Sequence, residues 1–160
     1  MSAENPTPTR DSKVTLREIT EDTVDSICKL RVHDDQKGFL ADNATSIAEA
    51  HFSPHAWFRA IYADETPVGF VMVEDKPDVP QYFLERFMID IRYQRLKLGR
   101  QAMEQVIEHI KTRPNATHLL TSVHQGPGGP QPFYEGLGFK LTGDMEHARA
   151  AIMRLEFPSK

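Results

Sequence analysis

The chain has 160 residues, of which 39% are hydrophobic and 26% charged, and its formal net charge is −4. This length fits one domain with a sizeable core, and the composition is ordinary for a soluble globular protein. The acidic balance gives no general support for nucleic-acid binding, so we expect no nucleic-acid partner. The single cysteine, Cys28, excludes an internal disulfide, fits a reducing compartment and is interpreted as a buried residue on a helix face.

The hydropathy pattern contains no targeting or membrane signal. No apolar run approaches the ~18 residues that a membrane span needs. Residues 1–12 have no apolar segment of the kind found in signal peptides, and they are interpreted as a flexible tail. We therefore expect a cytoplasmic protein without a membrane partner, with one domain over residues 13–158.

The first part of the chain predicts a strand and two helices. The strand is "KVTLREI", whose residues alternate between apolar and polar. The first helix, "TEDTVDSICKLRV", takes Thr20 as its cap. The second, "SIAEAHF", has Ser46 and Glu49 at the spacing of a capping box. The stretch "DDQKGFLADNAT" between them is interpreted as a loop or a short broken helix.

The remainder of the chain predicts an α/β arrangement. The segments "WFRAIYA" and "PVGFVMV" predict a hairpin, and "YFLERFMID" predicts a long strand. A helix follows with one apolar face: Leu98, Ala102, Met103, Val106, Ile107 and Ile110. After it come a strand at "HLLTSV", a short helix at "FYEGL" that Gly138 ends, and final strands at "FKLTG" and "AAIMRLEF". This order indicates one mixed sheet, with an antiparallel meander first and parallel neighbours after the helix crossovers.

The segment "YQRLKLGR", residues 93–100, is a basic turn that leads into the amphipathic helix. Free N–H groups at a helix start, together with the helix dipole, favour anionic phosphate oxygens. Arg95, Lys97 and Arg100 would strengthen this positive potential. Basic residues near helix ends are also common on solvated faces, so the turn alone leaves both interpretations open.

Two longer segments, "RFMIDIRYQRLKLGRQAME" and "PFYEGLGFKLTGD", resemble the GCN5-related N-acetyltransferases, the GNAT superfamily. The resemblance spans about residues 14–157. Within the superfamily, "QKGFLADNATSIAEA" and "RFMID" are similar to the bacterial diamine, spermidine and spermine acetyltransferase-like branch. The resemblance implies the GNAT fold, a single α/β domain whose mixed central sheet has splayed central strands and flanking helices. It also implies acetyl-CoA as co-substrate and suggests a homodimer.

The family's coenzyme-binding turn reads Gln or Arg, two residues, Gly, one residue, then Gly or Ala. Gln94 and Gly99 match the outer positions, whereas Lys97 stands where the family usually has its first glycine. Glycine lets the backbone approach a pyrophosphate, and a lysine with positive φ would be strained there. The loop "HQGPGGPQPFY" lacks the asparagine that many relatives have. The coenzyme contacts implied by the resemblance are Met88, Ile89, Gln94, Arg95, Leu96, Lys97, Leu98, Gly99, Arg100, Gly128 and Gly129.

Acetyl transfer to an amine needs a proton donor for the leaving thiolate and a hydrogen-bond donor for the carbonyl oxygen. Tyr134 occupies the position of the family tyrosine whose hydroxyl reaches the coenzyme sulfur, and a phenol with a pKa near 10 is a competent donor. The resemblance places the oxyanion donor at a backbone N–H near Met88. The histidines are scattered without zinc-binding spacing, so we expect no metal.

The attacking amine must also lose a proton, and we favour Glu85 as the base, acting through water. On the predicted strand, Phe83, Glu85, Phe87 and Ile89 are expected to share one apolar side, where desolvation would raise the pKa of the carboxyl. The alternative is that Glu85 pairs with a nearby arginine and only holds structure.

The acceptor of the acetyl group is predicted from carboxylates and aromatic faces, because polyamines are flexible polycations. Asp34 and Asp35 are the best candidates. Further candidates are the carboxylates Glu49, Glu74 and Asp42 and the aromatic residues Phe39, Trp57 and Tyr82. Three hypotheses stay open: an acetyltransferase for a small primary amine such as a polyamine, one for an antibiotic or protein amine, and a GNAT-fold module that only binds acetyl-CoA.

Overall fold

The computed structural model describes residues 6–32, 42–147 and 149–158. The strands are β1 (Val14–Arg17), β2 (Ala56–Ala63), β3 (Thr66–Lys76), β4 (Gln81–Ile89), β5 (His118–His124), β6 (Lys140–His147) and β7 (Ala150–Glu156). The helices are α1 (Val24–Cys28), α2 (Asn43–His51), α3 (Leu98–Lys111) and α4 (Gln131–Gly136). Within these described ranges, no helix is both long and apolar enough to cross a membrane.

The strands form a seven-stranded sheet in the order β1-β2-β3-β4-β5-β7-β6. Strands β4 and β5 are parallel, because α3 crosses over between them, and the other neighbouring pairs of the described sheet are antiparallel. The predicted mixed sheet, with its meander first and its crossover later, is confirmed. Strands β4 and β5 pair only at Phe83–Leu120 and Leu84–Thr121, and beyond these rungs they diverge.

Helix α3 packs one apolar face against the sheet. Its buried residues are the six that the sequence predicted: Leu98, Ala102, Met103, Val106, Ile107 and Ile110. They belong to the larger core, together with Val71 of β3 and Leu119 of β5. Burial of each large side chain contributes about 1.5–3 kcal/mol, so this face fixes the start of α3 beside the end of β4.

The first two helices differ from the prediction. Helix α1 has five residues, and Thr20 lies in the turn before it, where its carbonyl accepts the N–H of Val24 at 2.9 Å. Helix α2 begins three residues before Ser46, and Asp42 caps it by accepting the N–H of Thr45 at 2.7 Å. The predicted capping box at Ser46 is therefore wrong, since an earlier carboxylate already serves the helix start.

The described part of the predicted N-terminal tail contains a turn. The N–H of Thr9 donates to the Ser12 hydroxyl at 2.9 Å, and the N–H of Ser12 donates back to the Thr9 carbonyl at 3.1 Å. Ser12 is buried. The packed part of the chain thus begins before residue 13, the predicted start of the domain.

Candidate active site

A cleft of about 940 Å³ opens where β4 and β5 diverge. Its volume falls within the range of about 300–1,000 Å³ that small-molecule sites occupy. The walls come from the second half of β4, the basic turn, the end of β5 and the loop before α4. The predicted site residues that line this main cleft are Glu85, Met88, Ile89, Gln94, Arg95, Lys97, Gly99, Arg100, Gly128, Gly129 and Tyr134.

The basic turn is held against the end of β4 by hydrogen bonds. The carboxylate of Asp90 accepts the Arg92 N–H at 2.9 Å and so starts a single 3-10 turn. The side-chain amide of Gln94 donates to the Ile89 carbonyl at 2.9 Å. Gln94, the first residue of the family's motif, therefore fixes the turn to the strand that borders the cleft.

Helix α3 begins at the cleft with unpaired backbone donors. The first hydrogen bond of the helix at this end runs from the Gln101 N–H to the Lys97 carbonyl, at 3.4 Å. Helix geometry leaves the preceding amides, Leu98, Gly99 and Arg100, without an intrahelical acceptor. Such amides form a positive helix terminus that suits a phosphate group.

Lys97 adopts the left-handed conformation, with φ of 60° and ψ of 16°, and Arg95 likewise has φ of 67°. This region costs a non-glycine residue about 1–2 kcal/mol. Lys97 therefore keeps the backbone shape of the glycine it replaces, at the cost of strain, and its exposed ammonium adds positive charge. Leu96 and Leu98 pack their side chains into the core, so only their backbones can serve a ligand.

Arg100 is engaged by neighbouring groups on α3 and α4. Its guanidinium lies 3.3 Å from the Glu104 carboxylate and donates to the Gly136 carbonyl at 3.2 Å. An exposed pair of this kind contributes about 0–1 kcal/mol. Arg100 thus joins the start of α3 to α4, the helix that bears Tyr134.

Tyr134 is buried at the root of the cleft. Its hydroxyl lies near that of Thr121, which donates to the Leu84 carbonyl at 3.0 Å. Leu84 and Thr121 form the last rung between β4 and β5, so the phenol lies where the strands part. Burial raises the pKa of Tyr134 well above its usual value, and the neighbouring Thr121 hydroxyl partly offsets the rise. The phenol is therefore a protonated donor at neutral pH.

Strand β4 contains a bulge at Glu85. In the sheet register, Met72 of β3 pairs with Arg86 and the next residue, Val73, pairs with Leu84. Glu85 is therefore left out of the backbone pairing with β3. A bulge of one residue reverses the side-chain alternation beyond it. The prediction that Glu85 shares a side with Phe87 and Ile89 is therefore wrong: Phe87 and Ile89 pack in the core under α3.

Glu85 instead borders both the main cleft and a second, small pocket of about 230 Å³. The small pocket lies against α2 and is lined by Glu49, Ala50, Ser53, Ala56, Met72, Glu74 and Glu85. Burial, and after it the neighbouring Glu74 carboxyl, raises the pKa of Glu85 to about 7. Arg86 donates to the backbone carbonyl of Glu85 at 3.0 Å and to the Glu49 carboxylate at 3.2 Å. The alternative in which an arginine holds the Glu85 carboxyl is thus not favoured.

The backbone of β4 presents alternate residues to the cleft. The Asp90 N–H donates to Val68 of β3 at 2.7 Å, and strand alternation directs the polar groups of Met88 to β3 as well. Those of Phe87 and Ile89 face the cleft, where the Ile89 carbonyl accepts the Gln94 amide. Met88 is therefore not the favoured oxyanion donor. The sequence pattern did not indicate Phe87 as a donor, because the pattern contains no sign of the bulge.

The predicted acceptor residues divide into three groups. Glu49 and Glu74 lie beside Glu85 in the small pocket. Tyr82 is buried and donates to the Pro114 carbonyl at 2.6 Å, Trp57 stacks on His109 at 4.4 Å between ring centroids, and Asp42 caps α2. These last three do not line either cavity, so neither cavity supports their predicted acceptor role. Asp34, Asp35 and Phe39 lie outside the described residues.

The splayed sheet, the cleft between its parting strands and the buried tyrosine define an acetyltransferase fold. The model of the Acetyltransferase (GNAT) family matches residues 21–139, and the chain belongs to this family of acetyltransferases. It is 21% identical to the spermine/spermidine N(1)-acetyltransferase of Bacillus subtilis (strain 168) over 146 residues, which cover 88% of this chain and 96% of the relative.

Solved structures share the fold at low sequence identity. The PaiA N-acetyltransferase of Thermoplasma acidophilum, in complex with coenzyme A, has a TM-score of 0.69 at 15% identity and covers 91% of this chain and 99% of its own. The ribosomal-protein-S18-alanine N-acetyltransferase of Escherichia coli has a TM-score of 0.71 at 17% identity, with coverage of 92% and 96%. These likenesses show the GNAT fold.

Proposed function

We propose that the protein transfers the acetyl group of acetyl-CoA to a primary amine of a polyamine, by direct attack in a ternary complex. The observation that carries this proposal is the position of Glu85, at which the main cleft meets the small pocket. One cavity offers a phosphate-binding helix start and a buried phenol, and the other offers carboxylates for a cation. The name of the Bacillus subtilis relative supports the acceptor class.

The coenzyme enters the proposal through this chain's own groups. The diphosphate would contact the amides of Leu98, Gly99 and Arg100, with the cations of Arg95 and Lys97 around it. The pantetheine arm would lie in the gap along Phe87–Ile89, and this orientation delivers the thioester to the root of the cleft. Acetyl-CoA supplies the activated acetyl group as a co-substrate.

The acceptor must first become a neutral amine. An alkyl ammonium with a pKa near 10.4 pays about 4 kcal/mol for deprotonation at pH 7.4. Glu85, with a pKa raised to about 7, is ionised in a large fraction of molecules at that pH and can take this proton directly or through water. The amine then attacks the thioester carbonyl, whose oxygen gains charge beside the N–H groups of Phe87 and Ile89.

Tyr134 completes the reaction by donating its proton to sulfur as the carbon–sulfur bond breaks. The nitrogen loses a second proton when the amide forms, and this proton balances the one that Tyr134 has given up. The products are the N-acetyl amine, coenzyme A as its thiol and one proton released to solvent. The acetyl group is never attached to the protein, because a thioester carbonyl reacts directly with a neutral amine.

Thiol release with a panel of amines tests the acceptor class. We expect spermidine or spermine to give the highest kcat/KM among spermidine, spermine, putrescine, aminoglycosides and lysine peptides. A higher kcat/KM with an aminoglycoside or a peptide would overturn the polyamine assignment. If acetyl-CoA binds and no amine of the panel is acetylated, the proposed reaction itself fails.

A further inference from the structure

The bulge at Glu85 brings a second carboxyl group against the proposed base. Glu74 of β3 pairs with Phe83 in the sheet register, close to the point where the bulge begins. The carboxyl groups of Glu74 and Glu85 both line the small pocket, where burial raises the pKa of Glu85 and the proximity of Glu74 raises it further. Two neighbouring carboxylates repel one another and have no donor to share, so such a pair favours the state in which one carboxyl is protonated.

The other charged groups around the pair lie on β3, β4 and α2 and in the segment before β2. Lys76 of β3 forms an ion pair with Glu74, and its hydrogen bond lowers the pKa of Glu74, with His55 adding a smaller effect. Glu49 of α2 pairs with Arg86 of β4 at 3.2 Å. Glu74 and Glu49 therefore each have their own cation, and Glu85 is the acid that is protonated most readily.

We propose that Glu74 is a positioning residue for acetyl transfer, which holds the Glu85 carboxyl at the bulge and sets the pH at which Glu85 can accept a proton. This inference rests on the proposed function, in which Glu85 is the base. Glu74 itself does not take the proton of the acceptor. It stays ionised beside Lys76 and makes ionisation of Glu85 harder by its negative charge.

The arrangement couples proton transfer to binding of a cationic acceptor. With Glu85 protonated, the charges of Glu49, Glu74, Lys76 and Arg86 balance. An ammonium group that enters the pocket adds a positive charge, which favours ionisation of Glu85 and release of its proton to solvent. The ionised Glu85 then takes one proton from the ammonium, and the resulting neutral amine attacks the thioester. The acceptor thereby promotes ionisation of its own base.

The pH dependence of kcat/KM for spermidine tests this inference. Since kcat/KM reports groups of the free enzyme, its acid limb should follow Glu85. We expect Glu74→Gln to move the midpoint of that limb about one pH unit lower, because the variant removes a negative charge next to Glu85. Glu49→Gln is the matched control, and its shift should be smaller because Glu49 has the weaker effect on Glu85. An unchanged midpoint in Glu74→Gln would contradict the inference.

A conservative variant separates charge from packing. Glu74→Asp keeps the carboxylate, so its acid limb should stay closer to that of the wild-type protein than the limb of Glu74→Gln does. A midpoint as low in Glu74→Asp as in Glu74→Gln would show that shape, not charge, sets the titration, and would overturn the assignment.

Carbon-13 NMR of glutamate-labelled protein gives a readout that needs no turnover. The Glu85 carboxyl resonance, assigned through Glu85→Gln, should titrate at lower pH in Glu74→Gln than in the wild-type protein. If that shift is seen and no amine is acetylated, the carboxyl pair stands and the proposed function fails. If amines are acetylated and Glu85 titrates identically in both proteins, this inference fails and the proposed function stands.

Discussion

Tyr134 owes its suitability as an acid to where its side chain lies. The ring packs edge-on against Phe133 and Phe139, and the hydroxyl lies near Thr121 at the last rung of the β4–β5 pair. The buried phenol is protonated at neutral pH, so its proton would be available to a leaving thiolate in the proposed reaction. In solvent, the same phenol would offer no defined geometry toward sulfur.

We expect Tyr134→Phe to lower kcat by about 100-fold, the lower end of what general acid catalysis contributes. Phenylalanine preserves the ring contacts, so the Kd for acetyl-CoA should stay within about twofold of the wild-type value. Steady-state kinetics and calorimetric titration measure the two quantities. A variant that retains the wild-type kcat would remove Tyr134 from the mechanism.

We expect the ionised Glu85 carboxylate to lower the free energy of unfolding. Its pKa is raised in the folded state, so the folded protein binds this proton more tightly than the unfolded chain does, and stability falls as pH rises from the ordinary value of 4.5 to about 7. We expect Glu85→Gln to raise the free energy of unfolding at pH 8 by about 2 kcal/mol, after allowance for partial exposure, and to change it little at pH 4.

Urea unfolding of both proteins at the two pH values measures this effect, and thiol release at pH 8 should show a loss of activity in the more stable variant. Glu49→Gln serves as the control, because Glu49 is already paired with Arg86 and more exposed. Equal stability of Glu85→Gln and wild type at pH 8 would mean that the folded state does not disfavour the ionised Glu85 carboxylate.

The basic turn has a left-handed backbone at Lys97, a position where the family usually has glycine. Lys97 takes the left-handed backbone, and two matched variants separate that backbone from the ammonium charge. Lys97→Gly and Lys97→Ala both remove the charge, so both should bind acetyl-CoA more weakly and to a similar extent. Lys97→Gly should be more stable than Lys97→Ala by about 1 kcal/mol, because alanine retains the strain. Thermal unfolding of both variants checks this, and equal stabilities would argue against the strained conformation.

Elements with a long, regular pattern were predictable from sequence, and irregular ones were not. The apolar face of α3 repeats over four turns, and all six of its predicted core residues are buried. Helix α2 is shorter, and its start depends on Asp42, which the capping-box pattern at Ser46 obscured. The sidedness of β4 failed at Glu85 because a bulge arises from the pairing of β3 with β4, which no period within one strand reveals.

The site was predictable to the extent that motifs fix backbone positions. The basic turn and Tyr134 lie around one cleft, as their motifs indicated. The acceptor residues were harder, since an aromatic or acidic residue near the site in sequence can face either side of the sheet. Tyr82 and Trp57 belong to the core side under α3, whereas Glu49 and Glu74 lie in the small pocket on the α2 side.

At the scale of the molecule, the sheet provides two separate cavities for the two proposed reactants, the coenzyme and the amine. The divergence of β4 from β5 opens the main cleft, and the bulge in β4 places Glu85 between that cleft and the small pocket. A cation and an anionic coenzyme can therefore approach from different directions. Their reacting atoms would come together beside Glu85 and Tyr134.

The most direct test of this account is a crystal structure of the protein with coenzyme A. We expect the diphosphate on the amides that open α3, near Lys97, and the sulfur within hydrogen-bond reach of the Tyr134 hydroxyl. Coenzyme bound at another surface, or its thiol directed away from Tyr134 while the gap between β4 and β5 stays empty, would contradict the account.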